Sequence, residues 1–266
     1  MNAEIKFDLK NYKGNILRCN NEEIVNVQIN EKIYKVNINI FNLFASTILN
    51  ANNEIKYLGE EARDYRGVIC QSKYKEYKIL IKKDEKICIF LKKINFKLDI
   101  KEVTILAEKI YEFYEKMYDF NFSIRDIDPM YLSNFLWKRL DSIYNSKIDE
   151  VMIDELFVKY QGEKTKIIKT AYYKALEERK EIYIPTVYNT NHINVSNYKR
   201  ICDVFHIIKE HNYPFNNQYI IVYNDELEIR DGQHRASSLR YLYGNIRIPI
   251  MRLYFDETKV NTLCNK

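Results

Sequence analysis

The sequence predicts an α+β protein, and three observations carry that reading. Over the first hundred residues apolar and polar side chains alternate. Near residue 100 the apolar period lengthens to that of a helix. Beyond Ile184 short apolar runs alternate with helical stretches. The expected organisation is a β-rich unit over 1–100, a helical connector over 101–183 and an α/β unit over 184–266.

Each element has its own signal. Ile24–Asn30 and Ile33–Ile40 alternate around Glu31 and Lys32, which predicts a hairpin. Tyr77–Lys82 and Ile87–Leu91 repeat the pattern around Lys83–Lys86, and Phe41–Leu49 between the pairs predicts a short helix. Over Lys101–Tyr118 one face collects Val103, Leu106, Ala107, Ile110, Phe113, Tyr114 and Met117, an amphipathic helix. Ile127, Asp128 and Pro129 break the chain. Helical spacing resumes over Met130–Tyr144 and again over Lys164–Lys180, where Ile167, Ile168, Ala171, Tyr172, Ala175 and Leu176 share a side.

In the last third, Ser196 is placed to cap a helix over Asn197–His211 with Ile201, Val204, Phe205 and Ile208 inward. Strands are expected over Gln218–Val222, Leu227–Arg230 and Ile246–Tyr254, the last at a sheet edge or with an irregular start because of Pro249. Between them Gly232 opens a helix over Gln233–Tyr243, which Gly244 ends.

Composition narrows the class of protein. Hydrophobic residues at 46% and charged residues at 30% suit a globular chain, and no stretch approaches 18 uncharged apolar residues, so no membrane span is expected. Glu4 and Lys6 interrupt the opening residues, so an ordinary signal peptide is not expected either. Cysteines 19, 70, 88, 202 and 264 are odd in number and scattered, without zinc spacing, which points to free thiols and a cytoplasmic location. The net charge of +5 is mild, and Lys and Glu alternate closely; an anionic small ligand accounts for the surplus as well as nucleic acid does.

Unusual chemistry is concentrated in one place, Glu228–Leu239. A strand delivers Asp231, Gly232 allows a sharp turn, and the N–H groups of Gln233, His234, Arg235 and Ala236 then form the positive end of a helix, an anion site. Arg235 adds a fork for phosphate, His234 a donor or proton-transfer group, and Ser237 a further hydroxyl. The bland alternative makes Asp231 a helix cap and His234 and Arg235 surface residues.

The order strand, Asp-Gly-x-His-Arg, helix with Ala236, then Gly244 and Ile248-Pro249-Ile250 resembles the ParB N-terminal/sulfiredoxin-like fold. The helix before Tyr213-Pro214-Phe215 and the strand Tyr219–Val222 match as well, so the resemblance covers roughly 195–255 and leaves out the first hundred residues. Sulfiredoxins need a cysteine in the motif, where this chain has Gln233. The chromosome-segregation members carry a Gly-Glu-Arg-Arg form and a following helix-turn-helix. Nucleotide-dependent small-molecule kinases, which keep Asp and His, are most similar.

That resemblance implies a C-terminal ParB/sulfiredoxin-like domain and phosphoryl transfer from ATP or another nucleoside phosphate, with Mg²⁺, to a hydroxyl of a small or sugar-like acceptor. Gly232, Gln233, His234, Arg235 and Ser237 would hold phosphate, and Asp231 would serve as base or metal ligand. Glu210 stands where the kinases carry a further Glu, and its bland alternative is a solvated helix end. A Lys and a Tyr in a preceding helix, here Lys169 and Tyr173, also occur in related proteins of surface-polysaccharide synthesis, which adds Lys169 to the phosphate set. Of the other histidines, His206 beside Phe205 is expected to be structural, and His192 and His211 to border the pocket. Three alternatives stay open: a nucleotide-sensing module, a DNA-binding module using Lys199, Arg200, Arg230, Arg235, Arg240 and Arg247, and a nuclease. For residues 1–100, acceptor binding, homodimer formation and docking of a partner enzyme are open roles.

Overall fold

The computed structural model describes residues 3–19, 23–58, 67–71, 77–81, 87–91, 94–160, 162–180, 197–256 and 258. Lys83–Lys86, Ile184, Pro185, His192 and Ser196 lie outside them.

An antiparallel meander opens the chain: β1 (Ala3–Leu9), β2 (Tyr12–Arg18), β3 (Ile24–Ile29) and β4 (Lys32–Asn37), paired in that order. Alternation decides which face is covered. Ala3, Ile5, Phe7 and Leu9 of β1 and Val25, Val27 and Ile29 of β3 are buried, and the β1 residues between them are exposed. The expected hairpin is present, with Asn30 at a φ of 53°, in the left-handed region that Asn tolerates.

The expected short helix at Phe41–Leu49 is the middle of a longer one, α1 (Ile38–Leu58). Every residue from Phe41 to Asn52 is buried. A helix covered on all sides needs no single apolar stripe, which is why its pattern understated its length. A second meander follows, β5 (Gly67–Gln71), β6 (Tyr77–Ile81), β7 (Ile87–Leu91) and β8 (Ile94–Leu98).

Helix α2 (Ile100–Met117) starts with a reciprocal cap: the Asp99 carboxylate accepts the Glu102 N–H at 2.9 Å, and Glu102 Oε2 accepts the Asp99 N–H at 2.9 Å. Its predicted face is buried from Val103 to Tyr114, with Phe113 edge-on to Phe41 at 5.1 Å, while Met117 is half-buried. Helix α3 (Pro129–Asn134) begins behind an Asp128 cap. It does not run on to Tyr144 as expected. Two 3₁₀ turns, Leu136–Lys138 and Leu140–Ser142, replace its continuation.

A second unit starts at Ser142, so residues 101–183 are divided between two units instead of forming a helical connector. It opens with β9 (Ile143–Met152), followed by the hairpin of β10 (Phe157–Tyr160) and β11 (Glu163–Lys166). Gly162, at φ +88°, lies at that turn, and the expected helix over Lys164–Lys180 shrinks to α4 (Ala171–Glu178) behind a Thr170 cap. Then come α5 (Asn197–His211), β12 (Ile220–Tyr223), α6 (Gln233–Tyr243) and β13 (Arg247–Phe255). Both helices have the predicted limits. In α5, Ile201 and Ile208 are buried and Val204 and Phe205 half-buried.

The sheet runs β12-β13-β9, with β13 parallel to β12 and antiparallel to β9. Thus β13 is central and not an edge strand, the first of the two positions that Pro249 suggested. The pairing removes the conflict. Ile153 N–H donates to Ile246 O at 3.0 Å, and alternation from there turns the N and O of Pro249 away from β9. On that other side β12 begins only at Ile220, opposite Ile250, so the N–H that proline lacks has no strand partner to lose. Pro249 O instead accepts the Tyr213 hydroxyl at 2.8 Å.

One face of this sheet packs Ile220, Val222, Ile248, Ile250 and Val151 with Ile208 of α5 and Ala236 and Leu239 of α6. The protein is therefore α+β, with an N-terminal antiparallel sheet followed by helices and a C-terminal mixed sheet.

Arg252 fastens the sheet to the turn after β12. Its side chain is nearly buried, donating to Asn224 O at 2.6 Å, Glu226 O at 2.9 Å and Asp149 Oδ2 at 3.2 Å. Replacing it with Met keeps the bulk but strands those acceptors. Arg252→Met is expected to cost about 2–3 kcal/mol in urea denaturation, the scale of lost charge-assisted bonds. An unchanged midpoint would show that water replaces the guanidinium without loss.

Candidate functional site

The chain leaves β12, turns through Asn224–Glu226 and returns beside the strand. Arg230 N–H donates to Ile221 O at 2.8 Å, and Ile221 N–H to Asp231 O at 3.0 Å. The strand expected over Leu227–Arg230 is only an extended segment, bridging singly to Phe157 and to Ile221 because each neighbour meets it at one residue. Glu228 is buried on it, between Lys159 at 2.7 Å and Arg230 at 3.0 Å.

At the end of this segment Gly232 takes a φ of +93° and starts α6. Two constraints select glycine here. The left-handed backbone disfavours any Cβ, and a Cβ would lie 3.0 Å from Ile220 Cα, Ile220 Cγ1 and Arg235 Nε. Asp231 is therefore not the helix cap; Gly232 is, and it has no side chain with which to cap the first turn. The helix starts tight against β12.

Asp231 and Arg235 hold one another. Arg235 donates through Nη2 to Asp231 Oδ2 at 2.6 Å and to Tyr219 O at 3.1 Å, and both side chains are largely buried. One arm of the expected phosphate fork thus carries a structural duty, so Arg235→Ala would loosen the turn as well as any ligand. Tyr213, after α5, braces the same place: its hydroxyl accepts the Ile220 N–H at 2.8 Å and donates to Pro249 O. Burial pushes this phenol above its ordinary pKa, so it stays a neutral donor.

Tyr172 of α4 and Lys169 before it lie on elements that pack on α6. His234 lies against Tyr172, ring centroids 4.3 Å apart. Lys169, exposed, ends the 3₁₀ turn Ile167–Lys169 that packs on α6. Thr170 joins them, capping α4 and lying 3.3 Å from Ser237. That contact corrects the expectation for Ser237, which is fully buried and fastens α6 to the Thr170 cap, leaving no exposed hydroxyl for a ligand. Gln233 and His234 are half-buried at the helix start.

Glu210 stays apart. It lies in the last turn of α5 with 66% of its side chain exposed, 3.9 Å from His211 Nε2. The solvated-end alternative describes it. His206 is exposed and lies edge-on to Phe205, and His211 stacks on Phe215 at 4.9 Å.

Among the described residues no group of three or more His, Cys, Asp or Glu converges as a metal site would. The basic residues that left a DNA interface open are partly spent internally. Arg230 pairs with Glu226 and Glu228, Arg235 with Asp231, and Arg240 grips both oxygens of Asp154 at 2.7 and 3.2 Å.

The motif Asp-Gly-x-His-Arg could be read from the sequence; Tyr213, Thr170 and Arg252 could not. Each acts through a buried bond to main chain or hydroxyl far along the chain, and no local pattern marks such a partner.

Two glycines separate backbone strain from crowding. Gly162→Ala, at φ +88° with nothing within 4 Å of its Cβ, should lower stability by about 1–2 kcal/mol. Gly232→Ala meets the same penalty plus a crowded wall and should lower it by roughly 2–4 kcal/mol. Equal denaturation midpoints for the two variants would mean that the contact with Ile220 is not tight.

No family model matches the chain, and neither a curated protein nor a solved structure is significantly similar to it.

Proposed function

We propose that the first turn of α6 binds the phosphates of a nucleotide, and that the protein transfers a phosphoryl group from it to a hydroxyl of a small or sugar-like acceptor. The observation that carries the reading is the first turn of α6, which starts at a glycine held tightly against β12 and carries His234 and Arg235, with exposed Lys169 on a turn that packs on the same helix. The N–H groups and dipole of a helix start favour an anion, and the neighbouring basic side chains strengthen that preference. The resemblance of Asp231–Arg235 to the kinase branch of the ParB N-terminal/sulfiredoxin-like fold supports the same choice.

In this reading the acceptor hydroxyl gives its proton to Asp231 or His234 as its oxygen attacks the terminal phosphorus, and the bond to the leaving nucleoside diphosphate breaks. Mg²⁺ would arrive with the nucleotide and offset its charge. Asp231 would then supply one carboxylate ligand, a small protein share that Mg²⁺ usually accepts.

A specific observation also favours a second reading, a nucleotide-sensing module without turnover. Asp231 is neutralised by Arg235 at 2.6 Å, and Glu210 lies in solvent. Both carboxylates that catalysis would call on are thus occupied or distant.

Calorimetry and turnover assays with ATP, ADP, CTP and GTP, each with Mg²⁺, distinguish the two. The parent chain should bind at least one of them, with inorganic phosphate competing. Asp231→Asn should bind within about tenfold of the parent yet lose about 10²–10⁴-fold in transfer, the contribution of a positioned acid–base group. Binding without turnover in the parent selects the sensing module. Failure of all four nucleotides to bind would overturn both readings.

A further inference from the structure

The second unit holds a cavity that the proposed phosphate site does not use. Residues of α4, α5 and α6 line it, and its volume is about 380 Å³, within the range of small-molecule pockets. Tyr241 lines it about two helical turns beyond His234, so it is separate from the first turn of α6.

The lining has an apolar part and a basic part. Ala175 and Leu176 are buried, Phe205 and Tyr241 are half-buried, and these two rings meet edge to face at 5.9 Å. The basic part is exposed: Arg179 at the end of α4, and Lys209 in the last turn of α5 with His206 three residues before it. Among the described residues that line the cavity, none is acidic. Arg179 also takes a φ of 52°, a left-handed backbone at which glycine or asparagine costs least. Its side chain, and not its backbone, accounts for an arginine at this position.

We propose that this cavity binds a small planar aromatic acid, with its ring against Phe205 and Tyr241 and its carboxylate at Arg179 and Lys209. Rings that already meet edge to face accept a third ring better than an aliphatic chain. Basic side chains with no carboxylate among them favour an anion, and a guanidinium matches a carboxylate in two-point fashion. The bland role of Lys209 is to offset the dipole at the end of α5. The two roles predict different losses, since the first moves affinity and the second moves stability. The inference is independent of the nucleotide reading and does not draw on it.

Calorimetry of the full chain with naphthoate and with its neutral counterpart naphthamide tests the proposal. Cys202, a half-buried free thiol that lines the same cavity, reports where the probe binds. Naphthoate should bind one to one and slow the labelling of Cys202 by iodoacetamide, read by peptide mass. Naphthamide should bind at least about tenfold more weakly. The double variant Arg179→Gly, Lys209→Gln should lose roughly tenfold in naphthoate affinity, the scale of two exposed ion pairs. Its thermal midpoint should hold, because glycine suits the backbone at 179. No saturable binding of naphthoate overturns the proposal, and so does equal affinity for the two probes. Binding that leaves Cys202 labelled at the same rate overturns it as well, because the site then lies elsewhere. A double variant that keeps full affinity while its midpoint falls leaves Lys209 only the dipole role and has the same consequence.

Discussion

The second unit is organised around a place with no room for a side chain. Where α6 meets β12, a Cβ on Gly232 would fall 3.0 Å from the backbone of Ile220, and the chain must also adopt a left-handed φ there. That approach lets Arg235, three residues on, reach back across the strand to Tyr219 O and Asp231. It also brings Ala236 and Leu239 down onto Ile220, Val222 and Ile250. Small residues at the contact and larger ones behind it let helix and sheet pack at interior density. A larger residue at 232 would lift the helix start and with it every group the candidate site uses.

Around this contact the polar groups are matched with few partners to spare. Tyr213 serves an N–H on one strand and a carbonyl on the next, Arg252 serves two carbonyls of the turn and the Asp149 carboxylate, and Thr170 ties α4 to Ser237 of α6. Such bonds add modestly to stability when made and cost more when one partner is removed. They make the unit specific: α4, α6 and the sheet each have one arrangement that satisfies the others. His234 and Lys169 inherit their positions from that arrangement, since neither sits on an element that could shift alone.

How much of this was legible in the sequence follows from how local each cause is. The limits of α5 and α6 were readable because period, Gly232 and Gly244 act within a few residues. The alternation of β3 and the buried face of α2 were readable for the same reason. Three stretches were misread, and each has a distant cause. Ile143–Met152 lacks a clean strand pattern and is extended because β13 pairs with it along its length. Lys164–Lys166 follow a helical period yet close a hairpin with β10. Pro249 suggests an edge and lies in the central strand, because the strand that would have needed its N–H starts one residue later. In the site, the motif was visible and its wiring was not. Nothing in the order of residues says that Asp231 and Arg235 engage each other, or that Ser237 faces inward to Thr170.

That wiring bears on how the proposed chemistry would be controlled. Asp231 and Arg235 are largely buried and 2.6 Å apart, so each screens the other. A phosphate arriving at the α6 start carries more negative charge than a carboxylate and offers more acceptor oxygens, and a guanidinium fork matches it well. Arg235 also keeps its bond to Tyr219 O, which anchors the side chain while its partner changes. In the proposed reading, then, the phosphate competes with Asp231 for the same nitrogen, and the carboxylate is released as a base or metal ligand only once the nucleotide is in place. An enzyme built this way keeps its base neutralised until substrate binds. A sensing module would use the same exchange differently, converting the loss of the Asp231 contact into movement of the turn after β12. Both readings therefore depend on one exchange of partners at Arg235 and differ only in what the freed carboxylate does next.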